Sequence, residues 1–317
     1  MDDTRTLRVQ QKRWEADGIT SVTLVDPTGA ALPAWEPGAH VALHLPNGLV
    51  REYSLCSDPA DSTQWTVAVL RTVDSRGGST HVHDALPVGA LIGVDGPRNN
   101  FPLDEDATDH VLVAGGIGIT PMISMVRRLE SAGKPWQLIY LGRSTTTMAF
   151  VDEVAALPAE RVTMHVLDEN AGAQLDLGQA LGGLGPDTLV YACGPESLMT
   201  ACGDALAHPD RLRIERFRAP EVVTAPGDDM TFDVVVSSTG ERITVDENTS
   251  VLDALTGAGL PVESSCTEGI CGTCEVGVIK GDVDHRDFVL SDDEHDAGLT
   301  MLPCVSRCRS AELVLDL

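Results

Sequence analysis

Aromatic residues, positive charge and long apolar runs are all scarce in this sequence of 317 residues. Aromatic side chains make up 4% of it, and 22 lysines and arginines stand against 48 aspartates and glutamates, for a formal net charge of −26. That balance repels nucleic-acid phosphates and anionic lipid headgroups, so neither nucleic acid nor a membrane is expected as a partner. The sequence also lacks a run of roughly 18 apolar residues and the apolar core of a signal peptide. We therefore expect a cytoplasmic protein.

Several domains are expected, because 317 residues with a hydrophobic fraction of 43% exceed what one core usually organises. Residues 1–104 alternate apolar and polar positions between prolines and glycines, which predicts an antiparallel barrel or sandwich. Residues 105–218 alternate short Val/Ile/Leu runs with helix-length segments, as in a doubly wound parallel sheet of the α/β class. Residues 219–229 carry two prolines and acidic side chains and predict a linker. Residues 230–317 predict a hairpin, a short helix capped by Ser250 and a cysteine-rich loop.

Four of the eight cysteines have a diagnostic spacing. Cys266, Cys271 and Cys274 stand as C-x4-C-x2-C, and Cys304 follows after 29 intervening residues, which is the plant-type 2Fe-2S ligand spacing. The residues between the first three cysteines include Gly269 and Gly272, whose small size lets the backbone wrap a cluster and aim amide N–H groups at its sulfurs. A zinc site and a set of buried free thiols are the alternatives. Cys308 is expected to stay unligated.

The loop CTEGICGTC, together with the distant LPC, resembles the ferredoxin domain of the phthalate dioxygenase reductase family. Members of that family join a flavin domain, a nicotinamide domain and a ferredoxin domain in this order. The resemblance implies an antiparallel Greek-key β-barrel for residues 1–104 and a doubly wound α/β domain for residues 105–218. For residues 230–317 it implies an α+β fold, the β-grasp ferredoxin.

The segment Arg51-Glu52-Tyr53-Ser54-Leu55 is similar to the RxYSL flavin-binding motif of ferredoxin-reductase-like barrels. On a strand, Arg51 and Tyr53 point to one face and Ser54 to the other. The resemblance places Tyr53 and Ser54 against the flavin and its ribityl chain, and Arg51 near its phosphate. An exposed arginine beside a core tyrosine is the alternative interpretation.

A turn with two consecutive glycines follows in the sequence Arg76-Gly77-Gly78-Ser79-Thr80. It offers backbone N–H groups, two hydroxyls and the start of a helix near His81, which together suit an anion. Its resemblance to the family's RGGS phosphate loop favours FMN over FAD, and the same alignment places Ala68, Val69 and Leu70 along the flavin. The alternative is an ordinary glycine turn before a helix.

A second glycine-rich turn, Gly115-Gly116-Ile117-Gly118-Ile119-Thr120-Pro121, follows the strand VLVA and opens a helix. Its glycines would let a pyrophosphate approach the backbone, with Thr120 capping the helix and Pro121 in the first helical position. Many doubly wound proteins have such a turn, but the GGIGITP form resembles the ferredoxin-reductase superfamily. Arg143 and Ser144, at the end of the next strand, are candidates for the adenosine end of the nucleotide. Because the residues after Arg143 add no second cation, NADH is favoured over NADPH.

The segment Cys193-Gly194-Pro195 resembles the CGP motif of the family. The resemblance places Cys193 at the carboxyl end of a strand facing the nicotinamide, with Gly194 allowing close approach and Pro195 starting the next helix. A small buried thiol that packs the sheet is the alternative. Phe217 ends the last strand, where the family places an aromatic residue against the flavin, and an ordinary core residue is the alternative. Cys193 and Phe217 are therefore the catalytic candidates.

The resemblance implies an NAD(P)H-dependent flavin and iron–sulfur oxidoreductase that serves as the reductase component of an oxygenase. Electrons would pass from NADH to FMN, to the 2Fe-2S cluster, and on to a Rieske-type aromatic oxygenase or O-demethylase. A haem-thiolate monooxygenase is the alternative acceptor, and a redox-sensing binding protein is the alternative function. Residues 226–317 hold 19 acidic and 5 basic side chains, a net charge of −14 that can steer toward a basic patch on an acceptor protein. The candidate surface residues are Asp292, Asp293, Glu294 and Asp296.

Overall fold

A computed structural model describes residues 4–72, 77–220 and 230–317 of the chain. The chain divides into two compact units, Met1–Arg216 and Phe217–Leu317. Among the described residues, no helix combines the length and the apolar character that crossing a bilayer requires. Most of the predicted linker, residues 221–229, lies outside the described residues, and the domain boundaries at 104, 218 and 229 remain predictions.

An antiparallel sheet of six strands forms the first part of unit one. The strands are β1 (Arg5–Ala16), β2 (Ile19–Val25), β3 (His40–His44), β4 (Val50–Ser54), β5 (Trp65–Leu70) and β6 (Leu91–Arg98), with helix α1 (Gly78–Asp84) after β5. Their order is β4-β3-β6-β1-β2-β5, and each neighbouring pair is antiparallel. A bridge between Leu55, directly after β4, and Val67 in β5 joins the two edge strands. The sheet thereby closes into a barrel, which confirms this part of the predicted fold class.

Alternate residues of these strands fill the barrel, because successive side chains on a strand point to opposite faces. The barrel core includes Leu7, Val9, Val41, Leu43, Val67 and Val69. Residues between them in sequence, such as Ala42 and Ala68, point outward from that core. The outer face is therefore free to pack against the second part of unit one, and Ala68 lies in the hydrophobic cluster that includes Leu112 and Ile119.

A parallel sheet of five strands, covered by helices on both faces, forms the second part of unit one. Its elements in chain order are β7 (Asp109–Gly115), α2 (Ile119–Ser131), β8 (Trp136–Gly142), α3 (Val151–Ala155), β9 (Val162–Val166), α4 (Leu177–Leu181), β10 (Thr188–Cys193), α5 (Glu196–Ala205) and β11 (Leu212–Glu215). The order is β11-β10-β7-β8-β9, and all four pairings are parallel. The chain reverses its direction of winding between β7 and β10, and ligands of such sheets bind at this switch point, beyond the carboxyl ends of the strands. The doubly wound α/β prediction is confirmed.

Helix α2 begins earlier than the sequence predicts, and this corrects the role of Thr120. A 3-10 turn at Gly116–Gly118 runs directly into the helix, so Gly118 is the N-cap and its backbone is already helical. Thr120 lies inside the first turn, where its hydroxyl donates a hydrogen bond back to the carbonyl of Ile117 at 3.0 Å. The capping prediction for Thr120 is therefore wrong, and Pro121 is the third helical residue rather than the first.

Unit two is an α+β fold built on a mixed sheet. Its elements are β12 (Phe232–Val236), β13 (Arg242–Val245), α6 (Val251–Gly257), β14 (Val276–Lys280), β15 (Val283–Asp284), α7 (Asp292–Ala297), β16 (Thr300–Met301), β17 (Arg307–Cys308) and β18 (Glu312–Asp316). The main sheet has the order β13-β12-β18-β14-β16, with β12 and β18 parallel, and β15 pairs with β17. Val251 and Leu255 of α6 pack on Val234 and Leu313 in the core. Ser250 caps α6 as predicted, because its hydroxyl accepts the N–H of Asp253 at 3.0 Å.

Candidate functional site

The four cysteines with plant-type spacing lie together in unit two. Cys271, Cys274 and Cys304 are buried, and Cys266 is half-buried. Two pairs of thiols are in contact, Cys266 with Cys271 and Cys274 with Cys304, and these contacts are the main cause of the raised pKa of Cys271 and of the lowered pKa of Cys274. A binuclear cluster takes two thiolates on each of its two irons, so this arrangement of two neighbouring pairs fits a 2Fe-2S centre.

Donor groups of the loop point at these sulfurs. The Glu268 N–H donates to Cys266 Sγ at 3.3 Å, the Gly269 N–H bonds Cys304, and the Thr273 hydroxyl lies 3.3 Å from Cys271 Sγ. Gly269 has φ +70°, and a Cβ there would lie 2.6 Å from a methyl group of Val305, so only glycine fits without displacing its neighbours. The loop therefore offers four thiolates and several N–H and O–H donors, which is the set that a negatively charged cluster requires.

Cys308 is buried but engaged elsewhere. Its Sγ lies 3.1 Å from Ser310 Oγ and donates to the carbonyl of Glu312, the first residue of β18, at 3.7 Å. These contacts give it a packing role in β17, and its expected lack of an iron ligand role remains a prediction.

The predicted phosphate residues of the barrel converge, except for Arg76, which lies outside the described residues. Arg51 on β4 covers the start of α1 so closely that a Cβ on Gly78 would lie 2.6 Å from Arg51 Cγ. Gly77 has φ +96°, which glycine adopts at little cost. The hydroxyl of Ser79 accepts the N–H of Thr72 at 3.2 Å, so Ser79 also fixes the preceding segment. Arg51 and the turn that carries Gly77, Gly78, Ser79 and Thr80 together offer a guanidinium and backbone N–H groups, which fit a phosphate.

The side chains predicted to line the flavin lie on two different faces of the barrel strands. Tyr53 packs against the barrel core, and burial raises the pKa of its hydroxyl to about 12. Ala68 and Leu70 point away from the barrel core, whereas the side chain of Val69 lies inside it. Val69 can therefore line a ligand on the outer face through its backbone only, because the strand pleat turns its side chain inward.

Three of the predicted nucleotide-binding glycines let two turns meet. A Cβ on Gly118 would lie 2.1 Å from the carbonyl oxygen of Cys193, one on Gly115 would lie 2.8 Å from Pro195 Cδ, and one on Gly194 would lie 3.0 Å from the Cα of Gly115. The turns after β7 and β10 thus pack backbone to backbone at the switch point. Gly116 differs, because its φ is +55° and a Cβ there would meet open space. Gly116 is the glycine that leaves room for a ligand.

The adenosine-end candidates lie at the same edge of the sheet. Arg143 is exposed and Ser144 half-buried, directly after the carboxyl end of β8, which neighbours β7. The hydroxyl of Ser144 accepts the N–H of Thr146 at 3.4 Å and starts a 3-10 turn. Since β10, β7 and β8 are adjacent and parallel, Cys193, Gly115 and Arg143 mark out one continuous edge.

Cys193 meets a carboxyl group that the sequence did not single out. Its Sγ lies 4.0 Å from Glu215 Oε2 at the end of β11, and the hydroxyl of Ser54, from the barrel, donates to the same oxygen at 3.3 Å. Cys193 is fully buried, and burial raises the pKa of its thiol well above the ordinary value. The thiol is therefore neutral at pH 7. Ser54, Cys193 and Glu215 form one cluster where barrel and parallel sheet meet, and we name it the junction cluster.

Glu215 is the residue that sequence reasoning missed. Burial raises the pKa of its carboxyl group to about 8, against the smaller lowering effect of the Ser54 hydrogen bond. The sequence signal for this position is only that it lies at the end of the strand that follows Cys193 in the chain, whereas its pairing in register with Cys193 is a feature of the folded sheet. Phe217 follows two residues later, beyond the end of β11, and 40% of it is exposed. Phe217 belongs to unit two, so its predicted place against a flavin remains a prediction.

Two family models match the chain. The 2Fe-2S iron-sulfur cluster binding domain matches residues 234–309, which contain the four-cysteine loop. The oxidoreductase NAD-binding domain matches residues 112–204, which contain both turns at the switch point and Cys193.

Relatives of full length extend the match to the barrel. Phenoxybenzoate dioxygenase subunit beta of Ectopseudomonas oleovorans is 42% identical, over 98% of this chain and 97% of its own. The solved structure of phthalate dioxygenase reductase is 39% identical, with a TM-score of 0.74 over 99% of this chain and 98% of that one. The chain belongs to the phthalate dioxygenase reductase family.

Membership of the phthalate dioxygenase reductase family confirms the predicted class of enzyme. The chain is a nicotinamide-dependent iron–sulfur oxidoreductase whose cofactors are a nicotinamide nucleotide, a flavin and a 2Fe-2S cluster. A crystal structure of an intact type IV self-sufficient cytochrome P450 monooxygenase is also similar, at 43% identity and a TM-score of 0.91. That match covers 99% of this chain and 41% of the other, so the chain spans about two fifths of that protein.

We expect Glu215→Gln to flatten the pH dependence of flavin reduction by NADH. Because burial raises the pKa of Glu215 to about 8, the native carboxyl is neutral at pH 7 and negative well above pH 8. A hydride brings negative charge into the site, so the native rate should fall roughly tenfold between pH 7 and pH 9.5, and the variant rate should stay within about twofold. Anaerobic stopped-flow absorbance at saturating NADH measures the rate of flavin reduction in the native chain and in the variant.

Glu196→Gln is the matched control for that prediction. The Glu196 carboxylate accepts two hydrogen bonds from the Arg216 guanidinium at 3.0 Å, near the same end of the sheet. This control should keep the native pH profile. If Glu215→Gln also kept the native pH dependence of flavin reduction, the ionisation that controls the rate would belong to a group other than Glu215.

Proposed function

We propose that this chain is the NADH-dependent reductase component of an oxygenase system, passing electrons from NADH through FMN and the 2Fe-2S cluster to a Rieske-type aromatic oxygenase or O-demethylase. One observation carries the proposal. A single chain holds a junction cluster at the switch point of a nucleotide-binding sheet and a loop of four paired thiols. The flavin would supply the conversion between a two-electron hydride donor and a cluster that accepts one electron at a time.

Separate groups of residues in unit one would bind the flavin phosphate, the adenosine end of the nucleotide and the nicotinamide. Arg51 and the turn at Gly77, Gly78, Ser79 and Thr80 supply a phosphate site on the barrel itself, which supports FMN rather than FAD. At the adenosine end, Arg143 is followed by Ser144 and three threonines, which supports NADH rather than NADPH. Cys193 and Glu215 provide neutral groups at the edge where hydride would pass, so neither repels an incoming hydride at pH 7.

The charge of unit two supports a protein acceptor. Residues 226–317 carry a net charge of −14, and α7 begins with Asp292, Asp293 and Glu294, all exposed. An acidic surface of this kind accelerates encounter with a basic partner at low salt. A relative of nearly equal length is named as a dioxygenase subunit, which supports a separate oxygenase protein.

A haem-thiolate monooxygenase is the second candidate acceptor. The self-sufficient cytochrome P450 structure, with a TM-score of 0.91 over 99% of this chain, specifically favours it. A redox-sensing binding protein is the third possibility, and it would turn over no acceptor.

The proposal is tested by cofactor extraction and an anaerobic titration with NADH. We expect mass identification of FMN, two irons and two sulfides per chain, and bleaching of both the flavin and the cluster absorbance. A flavin that bleaches with NADH but passes no electrons to the cluster or to an external protein would contradict the proposal.

Transfer to the acceptor should depend on ionic strength. We expect the second-order rate constant for reduction of a purified Rieske-type oxygenase to fall at least tenfold from 10 mM to 500 mM salt, because screening removes the acidic steering. The same assay with a haem-thiolate monooxygenase compares the two candidates directly. A rate that is insensitive to salt would contradict steering by the acidic surface.

A further inference from the structure

A buried carboxylate lies beside the cluster loop in unit two. Asp287 has no exposed side-chain area, and it follows His285 and Arg286 in a segment between β15 and α7. None of the functional roles assigned above uses it. A buried carboxylate is costly in free energy unless several hydrogen-bond donors compensate its charge.

Donors surround the Asp287 carboxylate on both oxygens. Oδ2 accepts the N–H of Leu290 at 2.9 Å and of Val289 at 3.3 Å, and Oδ1 accepts the Ser306 hydroxyl at 3.4 Å. Nε2 of His295, on α7, lies 3.3 Å from Oδ2. Burial alone would raise the pKa of Asp287, but these hydrogen bonds outweigh it and lower the pKa. The carboxylate is therefore ionised at neutral pH.

These contacts tie together the two segments that carry the cluster ligands. Ser306 is two residues after Cys304, and its hydroxyl also accepts the N–H of Arg286 at 3.2 Å. On the other side, the N–H of Phe288 donates to the carbonyl of Gly269 at 2.9 Å, and a Cβ on Gly269 would lie 3.2 Å from the Cα of Asp287. The N–H of Gly269 itself donates a hydrogen bond to the sulfur of Cys304. Asp287 thus contacts a residue close in sequence to a ligand cysteine on each of the two segments, Gly269 on one and Ser306 on the other.

The buried position of Asp287 is not explained by a separate metal site. His285, Asp287 and His295 offer ligand atoms within 4.8 Å of one another. The two imidazole rings, however, stack with centroids 4.4 Å apart and planes only 21° from parallel. The nitrogen lone pairs lie in the ring planes, so near-parallel stacked rings cannot both direct them at one ion. Each ring instead places one nitrogen near the carboxylate, His285 Nδ1 at 3.6 Å from Oδ1 and His295 Nε2 at 3.3 Å from Oδ2.

We infer that Asp287 is a positioning residue of the iron–sulfur centre, which joins the Gly269 loop to the Cys304 turn and places a fixed negative charge beside the cluster. The inference rests on the 2Fe-2S assignment of the four thiols. A nearby negative charge in a dry environment disfavours the addition of an electron, so Asp287 keeps the cluster harder to reduce than the four thiolates alone would make it. Asp287 thereby acts on the last electron-transfer step without contacting the acceptor.

The test is the Asp287→Asn variant of the full chain with its cofactors. Asparagine keeps the shape and removes the charge, so we expect the equilibrium constant for one-electron reduction of the cluster to rise on the order of tenfold, which equals 59 mV. Spectroelectrochemical titration at pH 7 measures it. Asp282→Asn, at a side chain that is 66% exposed in the same region, is the matched control and should change the constant less than twofold. An unchanged or lower constant in Asp287→Asn would overturn the inference.

Two further variants separate charge from shape. Asp287→Glu restores the charge, so it should bring the reduction constant back to within about threefold of native; a constant as high as that of Asp287→Asn would count against the charge. If Asp287→Asn retains no iron, Ser306→Ala keeps the carboxylate and removes only the two hydrogen bonds of the Ser306 hydroxyl, to Asp287 and to the Arg286 N–H. This variant should lose iron to a chelator several times faster than the native chain. A native rate of loss would overturn the positioning role. A native chain that binds no cluster would instead contradict the proposed function, so the two failures are distinguishable.

Discussion

Replacing Cys271 with serine is expected to abolish the 2Fe-2S cluster while flavin reduction by NADH stays within about twofold of native. Cys271 is only 4% exposed and lies in contact with Cys266, so its loss removes one of the two thiolates offered to one iron. A serine hydroxyl ionises far less readily than a thiol and is a poor ligand for iron. The flavin and nicotinamide residues belong to unit one, which has its own hydrophobic cores. Unit one should therefore keep its chemistry.

Cys308→Ser is the matched control, because Cys308 is also buried in unit two and is 6% exposed. Its contacts with Ser310 and Glu312 can be kept by a hydroxyl, so the cluster should remain. Iron and sulfide counting and the visible spectrum report the cluster, and anaerobic stopped-flow reports flavin reduction. Loss of flavin reduction in folded Cys271→Ser, or loss of the cluster in Cys308→Ser, would contradict the assignment.

The sequence was most informative where a function depends on short spacings. The C-x4-C-x2-C run predicts four thiols in one loop, and the structure brings these four together in two pairs. The alternation of strands and helices from residue 105 predicts a parallel sheet, because each strand needs a covering helix before the next begins. The sequence also predicts the Ser250 cap of α6, because the capping hydroxyl and its N–H donor, Asp253, are only three residues apart.

The junction cluster shows what the sequence could not supply. Ser54 and Glu215 are 161 residues apart and meet only when the barrel packs on the parallel sheet. No local sequence pattern predicts a contact between residues so far apart in the chain.

The separate roles of the glycines at the switch point are also not evident from the sequence alone. The motif suggests a ligand at every glycine, whereas Gly115, Gly118 and Gly194 are needed because two backbones approach each other, and Gly116 alone of the four faces open space.

Replacing Cys193 with alanine is expected to slow flavin reduction by NADH by roughly ten- to a hundredfold. The thiol lies 4.0 Å from Glu215 Oε2 at the carboxyl end of β10, and the backbone behind it is fixed by the close approach of Gly118. Alanine leaves a small cavity at the edge where the nicotinamide ring would lie, so the ring and Glu215 are held less well. Small errors of placement at a reacting centre carry rate losses of this size. The affinity for the flavin should stay within about twofold, because the phosphate residues Arg51 and Gly78 are untouched.

Cys202→Ala is the matched control for this substitution. Cys202 is as fully buried as Cys193, but it lies on α5, in the cluster that covers the other face of the sheet. Each variant loses one buried sulfur, which should lower the free energy of unfolding by about 1 kcal/mol. Single-turnover reduction with NADH deuterated at the transferred position shows whether the hydride step is the one that slows. With an equal expected loss of stability in both variants, a rate loss confined to Cys193→Ala would assign the effect to its position in the junction cluster. An equal rate loss in Cys202→Ala would show that Cys193 is a packing residue only.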